Sequence, residues 1–142
     1  MFETTVSREF SVTADTAWSL LADWGNTAWL PGLEKTEVVS DGGCITRRLF
    51  IPGAEPIEET LLASDQAAMT IDYTIAVSTL FQLADYRGHI TVVPTASGCR
   101  VDWHCQFDPG AMSEEEASGA ANGNLDFLLS SLAAYLEPEG GN

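Results

Sequence analysis

The stretch SEEEASGAANGNLDFLLSSLAAYL, Ser113 to Leu136, decides the fold. Ser113 is placed to cap a helix, and Glu116, three residues on, to reach back to the cap's own N–H. Glu114, Glu115 and Glu116 also suit the positive end of a helix dipole. The two halves that follow differ. Ala117 to Asn124 consists almost entirely of small residues, with Gly119 and Gly123 four apart on one face. Leu125, Leu128, Leu129, Leu132 and Leu136 then recur at helical spacing as a broad apolar stripe. Each interior glycine costs roughly 1 kcal/mol relative to alanine. Either close packing against a neighbour or space for something that is not protein has to offset it. The expectation is a helix that plugs a curved sheet, its thin half beside a cavity.

Working outward, Phe2 to Val12 alternates as a strand, and Ala14 to Asp23 reads as a short helix. A second short helical piece is expected over Asn26 to Leu30, stopped by Pro31-Gly32. Strands follow in pairs. Lys35 to Ser40 turns at Asp41-Gly42-Gly43 into Cys44 to Ile51. Ile57 to Ser64 turns at Asp65-Gln66 into Ala68 to Val77, and Asp85 to Pro94 turns at Thr95 to Gly98 into Gly98 to Phe107. The acidic, glycine-rich tail from Glu137 is expected to fray. A sheet of this length with one amphipathic helix to cover it should curl around that helix, and the short helices should close one end.

The 142 residues suit a single domain, 1–142, with a core that needs no staples. Four Trp, six Phe and three Tyr argue for a packed globule. Against six bases stand 21 acids, a formal charge of −15, and Lys35 is the only lysine. Such a surface repels phosphates and anionic headgroups, which disfavours nucleic acid and membrane surfaces as partners. A homodimer is left open. Cys44, Cys99 and Cys105 have no metal-like spacing, and their odd number without a leader sequence points to free thiols in the cytoplasm. No apolar run reaches the length of a membrane span.

Several local sequences, in this order, resemble one superfamily. They are Trp29-Leu30-Pro31-Gly32, Glu58-Glu59-Thr60-Leu61-Leu62-Ala63-Ser64-Asp65, Asp85-Tyr86-Arg87-Gly88, and Val101-Asp102-Trp103 leading to Phe107-Asp108-Pro109. They resemble the polyketide cyclase/dehydrase-like members of the START-like superfamily, also called SRPBCC, Bet v 1-like or helix-grip. The resemblance spans nearly the whole chain. It implies an α+β helix-grip fold: a seven-stranded curved antiparallel sheet around a long C-terminal helix, with two short helices after strand one. It also implies a hydrophobic cavity between sheet and helix. Members use that cavity for lipid transport or hormone binding, for aromatic cyclisation, or for docking partner proteins, and fold alone does not choose among these.

Strand parity assigns the lining, because a slip of one residue reverses every side chain. Cys99, Val101, Trp103, Cys105 and Phe107 form the inward set of the last strand; Tyr86, Gly88, Ile90 and Val92 that of its hairpin partner. Met69, Ile71, Tyr73, Ile75 and Val77 point in, as do Leu49 and Ile51. On Ile57 to Ser64 the residues leave both phases open, with Ile57 and Leu61 opposing Glu58, Thr60 and Leu62. The resemblance points to Glu58, Thr60 and Leu62 inward, which would place a carboxylate in the cavity. Gly88 beneath Gly119 and Gly123 should widen it. Pro52 to Pro56, and Ser78 to Ala84 with Leu80 and Phe81 at its tip, are the expected mouth.

The candidate ligand-binding set is Trp29, Leu49, Ile51, Glu58, Thr60, Leu62, Tyr73, Ile75, Phe81, Tyr86, Gly88, Trp103, Phe107, Asn124 and Leu128. Within it Glu58 is the candidate acid/base, its pKa raised by an apolar cavity, with Tyr73 and Tyr86 to hydrogen-bond a carbonyl or phenol. Arg47 and Arg87 are candidates for an anionic ligand group, Arg87 on the outer face. His89 and His104, near Asp102, fall on the convex face as surface imidazoles. With no third ligand at a useful spacing, neither a metal nor a cofactor is expected. Three functions remain: binding of a hydrophobic or aromatic small molecule; an aromatase/cyclase or dehydratase acting on a polyketide-like substrate; and a protein-docking module with a vestigial cavity.

Overall fold

The computed structural model is described over residues 1–75 and 84–137. In chain order the elements are β1 (Phe2–Phe10), α1 (Ala14–Ala22), β2 (Lys35–Asp41), β3 (Cys44–Phe50), β4 (Ile57–Asp65), β5 (Thr70–Ile75), β6 (Ala84–Thr95), β7 (Gly98–Asp108) and α2 (Glu114–Leu136). The seven strands form one antiparallel sheet in the order β1-β7-β6-β5-β4-β3-β2. Every hairpin joins neighbours; the one crossover carries α1 and the loop after it from β1 to β2, at opposite edges.

Local chemistry accounts for the breaks. Gly42 and Gly43 both take positive φ, 59° and 86°, as a two-residue hairpin loop with the strands' own twist requires. Thr13 caps α1, its hydroxyl accepting from the Thr16 amide. The expected second short helix is absent. Residues 24–32 form consecutive turns, with the Asn26 amide donating to the Asp23 carbonyl and the Leu30 amide to the Thr27 carbonyl. The Asn26 carboxamide oxygen accepts from the Ala28 amide at 3.1 Å, and Pro31 disfavours helical geometry at Leu30.

The capping box at the start of α2 is present in full, Ser113 and Glu116 each satisfying the other's backbone N–H. Leu125, Leu129 and Leu132 are fully buried, as the apolar stripe requires. The helix runs along β1, joined to it by Thr4 to Asn122, Arg8 to Ser130 and Ser11 to Glu137. Its thin half behaves otherwise than expected. Ala117 and Ala121 are the buried small residues, whereas Gly119 and Gly123 are exposed, and a methyl group at either would meet nothing within 4 Å. Those glycines neither pack closely nor border a hollow.

Inward-facing β7 is fully buried from Cys99 to Phe107, and Ile71, Tyr73, Ile75, Tyr86, Ile90 and Val92 join it. Aromatic rings form a row across this core. Centroids lie 5.3 Å apart for Trp24 and Tyr73, 6.3 Å for Tyr73 and Tyr86, 6.0 Å for the stacked Tyr86 and Phe107, and 5.3 Å for Phe107 and Phe2. Cys99 and Cys105 are buried free thiols and Cys44 an exposed one.

Candidate functional site

Between the curled strands and the C-terminal half of α2 lies a cavity of about 370 Å³. Leu49, Ile57, Tyr73, Ile75, Tyr86 and Trp103 form its floor from the sheet, with Ile51 just beyond β3. Asn124, Phe127 and Leu128 of α2 form its roof. The loop Leu30-Pro31-Gly32-Leu33 closes one side, its turn made possible by Gly32 at φ 85°. Its size falls within the roughly 300–1,000 Å³ typical of small-molecule pockets, and its lining is predominantly apolar.

The phase of β4 is the main correction. Arg48 pairs in register with Glu58, and Arg47 with Glu59. Leu49 and Ile57, also paired, are buried, so Arg47 and Glu59 point inward with them while Arg48 and Glu58 point out. Glu58 meets Arg48 at 3.2 Å on the outer face, its side chain 44 % exposed. Thr60 bonds Thr46 on the same outer face, and Leu62, at a bulge between Leu61 and Ala63, is exposed. Glu58, Thr60 and Leu62 therefore do not line the cavity. The carboxylate inside is Glu59.

Arg47 is only 4 % exposed. Its Nε donates to Glu59 Oε1 at 2.7 Å, its Nη1 to the Trp24 carbonyl at 3.3 Å, and its guanidinium stacks 3.6 Å from the Trp24 ring centroid. Trp24 Nε1 in turn donates to the Glu59 carbonyl at 3.1 Å. On the floor, Trp103 Nε1 donates to Tyr73 Oη at 2.9 Å. Burial, and secondarily the Glu59 charge, push the Tyr73 phenol far above the usual tyrosine range. Burial followed by the neighbouring Tyr73 and Cys105 does the same to Tyr86. Both phenols stay protonated at any physiological pH, suited to hydrogen bonding rather than to acting as bases.

Of the remaining expected residues, Leu49, Ile51, Tyr73, Ile75, Tyr86, Trp103, Asn124 and Leu128 line the cavity. Trp29 is buried against Trp103, centroids 6.1 Å apart, and faces a shallow groove beside Phe127 and Tyr135 instead. Phe107 is packed beneath Tyr86. Gly88 does not widen the cavity: a Cβ there would collide with the Tyr73 ring, so the glycine seats that ring. Phe81, Val77 and the expected mouth from Ser78 to residue 83 lie outside the described residues. Pro52 to Glu55 are exposed beside Ile51. Ile57, Glu59, Phe127 and Leu33 line the site unanticipated; for Glu59 the available signal was the alternation of Ile57 and Leu61.

On the convex face His89 Nδ1 lies 2.6 Å from Asp72 Oδ1, and His104 bonds Thr5 rather than Asp102. Among the described residues no group of three His, Cys, Asp or Glu side chains is arranged to hold a metal, and no helix is long and apolar enough to cross a membrane.

A family model described as polyketide cyclase/dehydrase and lipid transport matches residues 1–137. The chain belongs to this family. Solved structures with the same fold include an uncharacterised protein from Bacillus thuringiensis, 28 % identical, covering 96 % of this chain and 100 % of its own, with a TM-score of 0.82. The protein XoxI from Bacillus cereus is 26 % identical over 98 % of this chain and 99 % of its own, TM-score 0.83. Norcoclaurine synthase from Thalictrum flavum, solved with dopamine and hydroxybenzaldehyde, is 18 % identical over 97 % and 87 %, TM-score 0.70, a likeness of fold. No curated protein sequence matches.

Proposed function

We propose that this protein binds a hydrophobic or aromatic small molecule in the cavity between the sheet and α2. The observation that carries this reading is the cavity of about 370 Å³ itself, bordered by rings held in place from behind. An apolar molecule seated there gains dispersion contacts along the whole lining. The family's description includes lipid transport, and norcoclaurine synthase holds two aromatic molecules on the same fold. The cyclase or dehydratase reading loses its acid/base, because Glu58 is outside and Glu59 is tied to Arg47. A vestigial cavity under a docking module would be expected to have filled with side chains. The three unpaired thiols fit a cytoplasmic setting for this binding role.

Native mass spectrometry of the purified protein is expected to show a retained small molecule. Leu128→Trp, which puts an indole into the cavity from α2, should remove it while leaving the protein folded. A wild-type protein that carries no adduct and takes up no apolar probe would end this reading.

A further inference from the structure

Arg47 and Glu59 are held on several sides and open on another. The stack on Trp24 and the bond to the Trp24 carbonyl hold the Arg47 side chain. The cross-strand register and the bond from the Trp24 indole to the Glu59 carbonyl hold the Glu59 backbone beside it. Their mutual contact is one hydrogen bond, Nε to Oε1, instead of the two-pronged pairing that arginine and carboxylate often adopt. Arg47 Nη2 and Glu59 Oε2 consequently take no hydrogen-bond partner among the described residues. Neither is among the atoms sealed in packed protein without a partner, and both side chains border the cavity, at 4 % and 12 % exposure. A spare donor and a spare acceptor thus belong to neighbouring side chains on the wall of a predominantly apolar hollow, whose roof adds the polar Asn124.

We propose that this pair selects ligands whose polar end is electrically neutral and presents an acceptor beside a donor, as a primary carboxamide does. The inference rests on the binding reading above and specifies the chemistry of one end of the ligand. The pair carries no net charge. An anionic end would gain Arg47 but face Glu59, and a cationic end the reverse, each with its own desolvation cost. A carboxamide oxygen can accept from Nη2 while its N–H donates to Oε2. An ester offers only acceptors and leaves Oε2 unpartnered, and a buried polar site discriminates most strongly against a group that fails to satisfy it. The apolar body of the ligand would then extend over Tyr73, Ile75 and Leu128.

The test compares 2-naphthamide, methyl 2-naphthoate and sodium 2-naphthoate by isothermal titration calorimetry. Wild-type protein is expected to bind the amide at least about tenfold more tightly than the ester, with the carboxylate also weaker than the amide. In Arg47→Met/Glu59→Leu, which replaces the pair with apolar groups of similar bulk, the ester should keep its affinity and the amide should lose its advantage. Equal binding of amide and ester to wild type, or a carboxylate that binds best, overturns the selectivity and leaves the cavity reading standing. Failure of all three probes to bind overturns the selectivity, and the cavity reading with it when the purified protein also carries no adduct. Should the double variant not fold, the wild-type comparison still decides.

Discussion

The sheet meets α2 in two regions, and they differ in a way side-chain size alone would not suggest. Over β1 and β7 the helix presents the small Ala117 and Ala121, and the inward residues of β7, from Cys99 to Phe107, are all buried. Over β3 to β5 the helix presents the larger Phe127 and Leu128 above Arg47, Leu49, Ile57, Tyr73 and Ile75, and there space remains. Small side chains let backbones approach until nothing is left between them; large ones keep a hollow open if something prevents them from leaning into it. Here Trp103 holds the Tyr73 hydroxyl, and Trp24 and Glu59 hold Arg47. The hollow is maintained by buttressing rather than by missing bulk.

The strongest way to break this comparison is to remove one member of the inner ion pair. Arg47→Ala or Glu59→Ala leaves a buried charge without its partner and is expected to cost about 3–5 kcal/mol in urea unfolding. The half-exposed outer pair serves as control: Arg48→Ala or Glu58→Ala should cost no more than about 1 kcal/mol. Equal losses for the two pairs would mean that the inner one is not a buttress. A smaller effect is expected from Gly88→Ala, whose new methyl strikes the Tyr73 ring. Overpacking there should cost about 1–3 kcal/mol and, by driving Tyr73 toward the cavity, weaken apolar-probe binding.

Gly123→Ala sharpens the comparison in the opposite direction. The position is exposed within the helix and clear of neighbours, so alanine should stabilise the protein by up to about 1 kcal/mol and leave probe binding unchanged. Reduced binding would show that the glycines shape the cavity after all. The smallest expected effect concerns the closed side. The Ser11 hydroxyl and amide hold the Glu137 carboxyl below its ordinary value of 4.5. Its folded pKa thus lies under the unfolded one, so the tie contributes fully above pH 4.5 and is lost as pH falls through the lower folded value. Glu137→Gln should therefore lower the thermal midpoint slightly at pH 7, leave it unchanged at pH below the folded value, and so flatten part of the acid fall.

Much of this architecture was legible in the residues. The capping box and leucine stripe set α2, Gly42-Gly43 set a hairpin, and the alternation from Cys99 to Phe107 set the inward face of β7. The phase of β4 was harder, because Glu58, Thr60 and Leu62 compete with Ile57, Glu59 and Leu61, and each phase contains a carboxylate. What decides it is non-local: β4 must match β3, whose own phase follows from buried Leu49 and carries Arg47 inward with it. The bulge after Leu61 and the seating of Tyr73 on Gly88 are likewise properties of paired strands, with no signature in a single one. The glycines of α2 misled because their helical spacing defines a face but not the direction it looks.

The row of rings from Trp24 through Tyr73 and Tyr86 has an optical consequence. Tyr73 lies 5.3 Å from the indole of Trp24 and is hydrogen-bonded to that of Trp103, distances at which tyrosine passes its excitation on and emits little of its own. Trp103 borders the cavity, so whatever enters should alter the colour and yield of indole emission. The protein needs no attached dye to report whether it is empty or full.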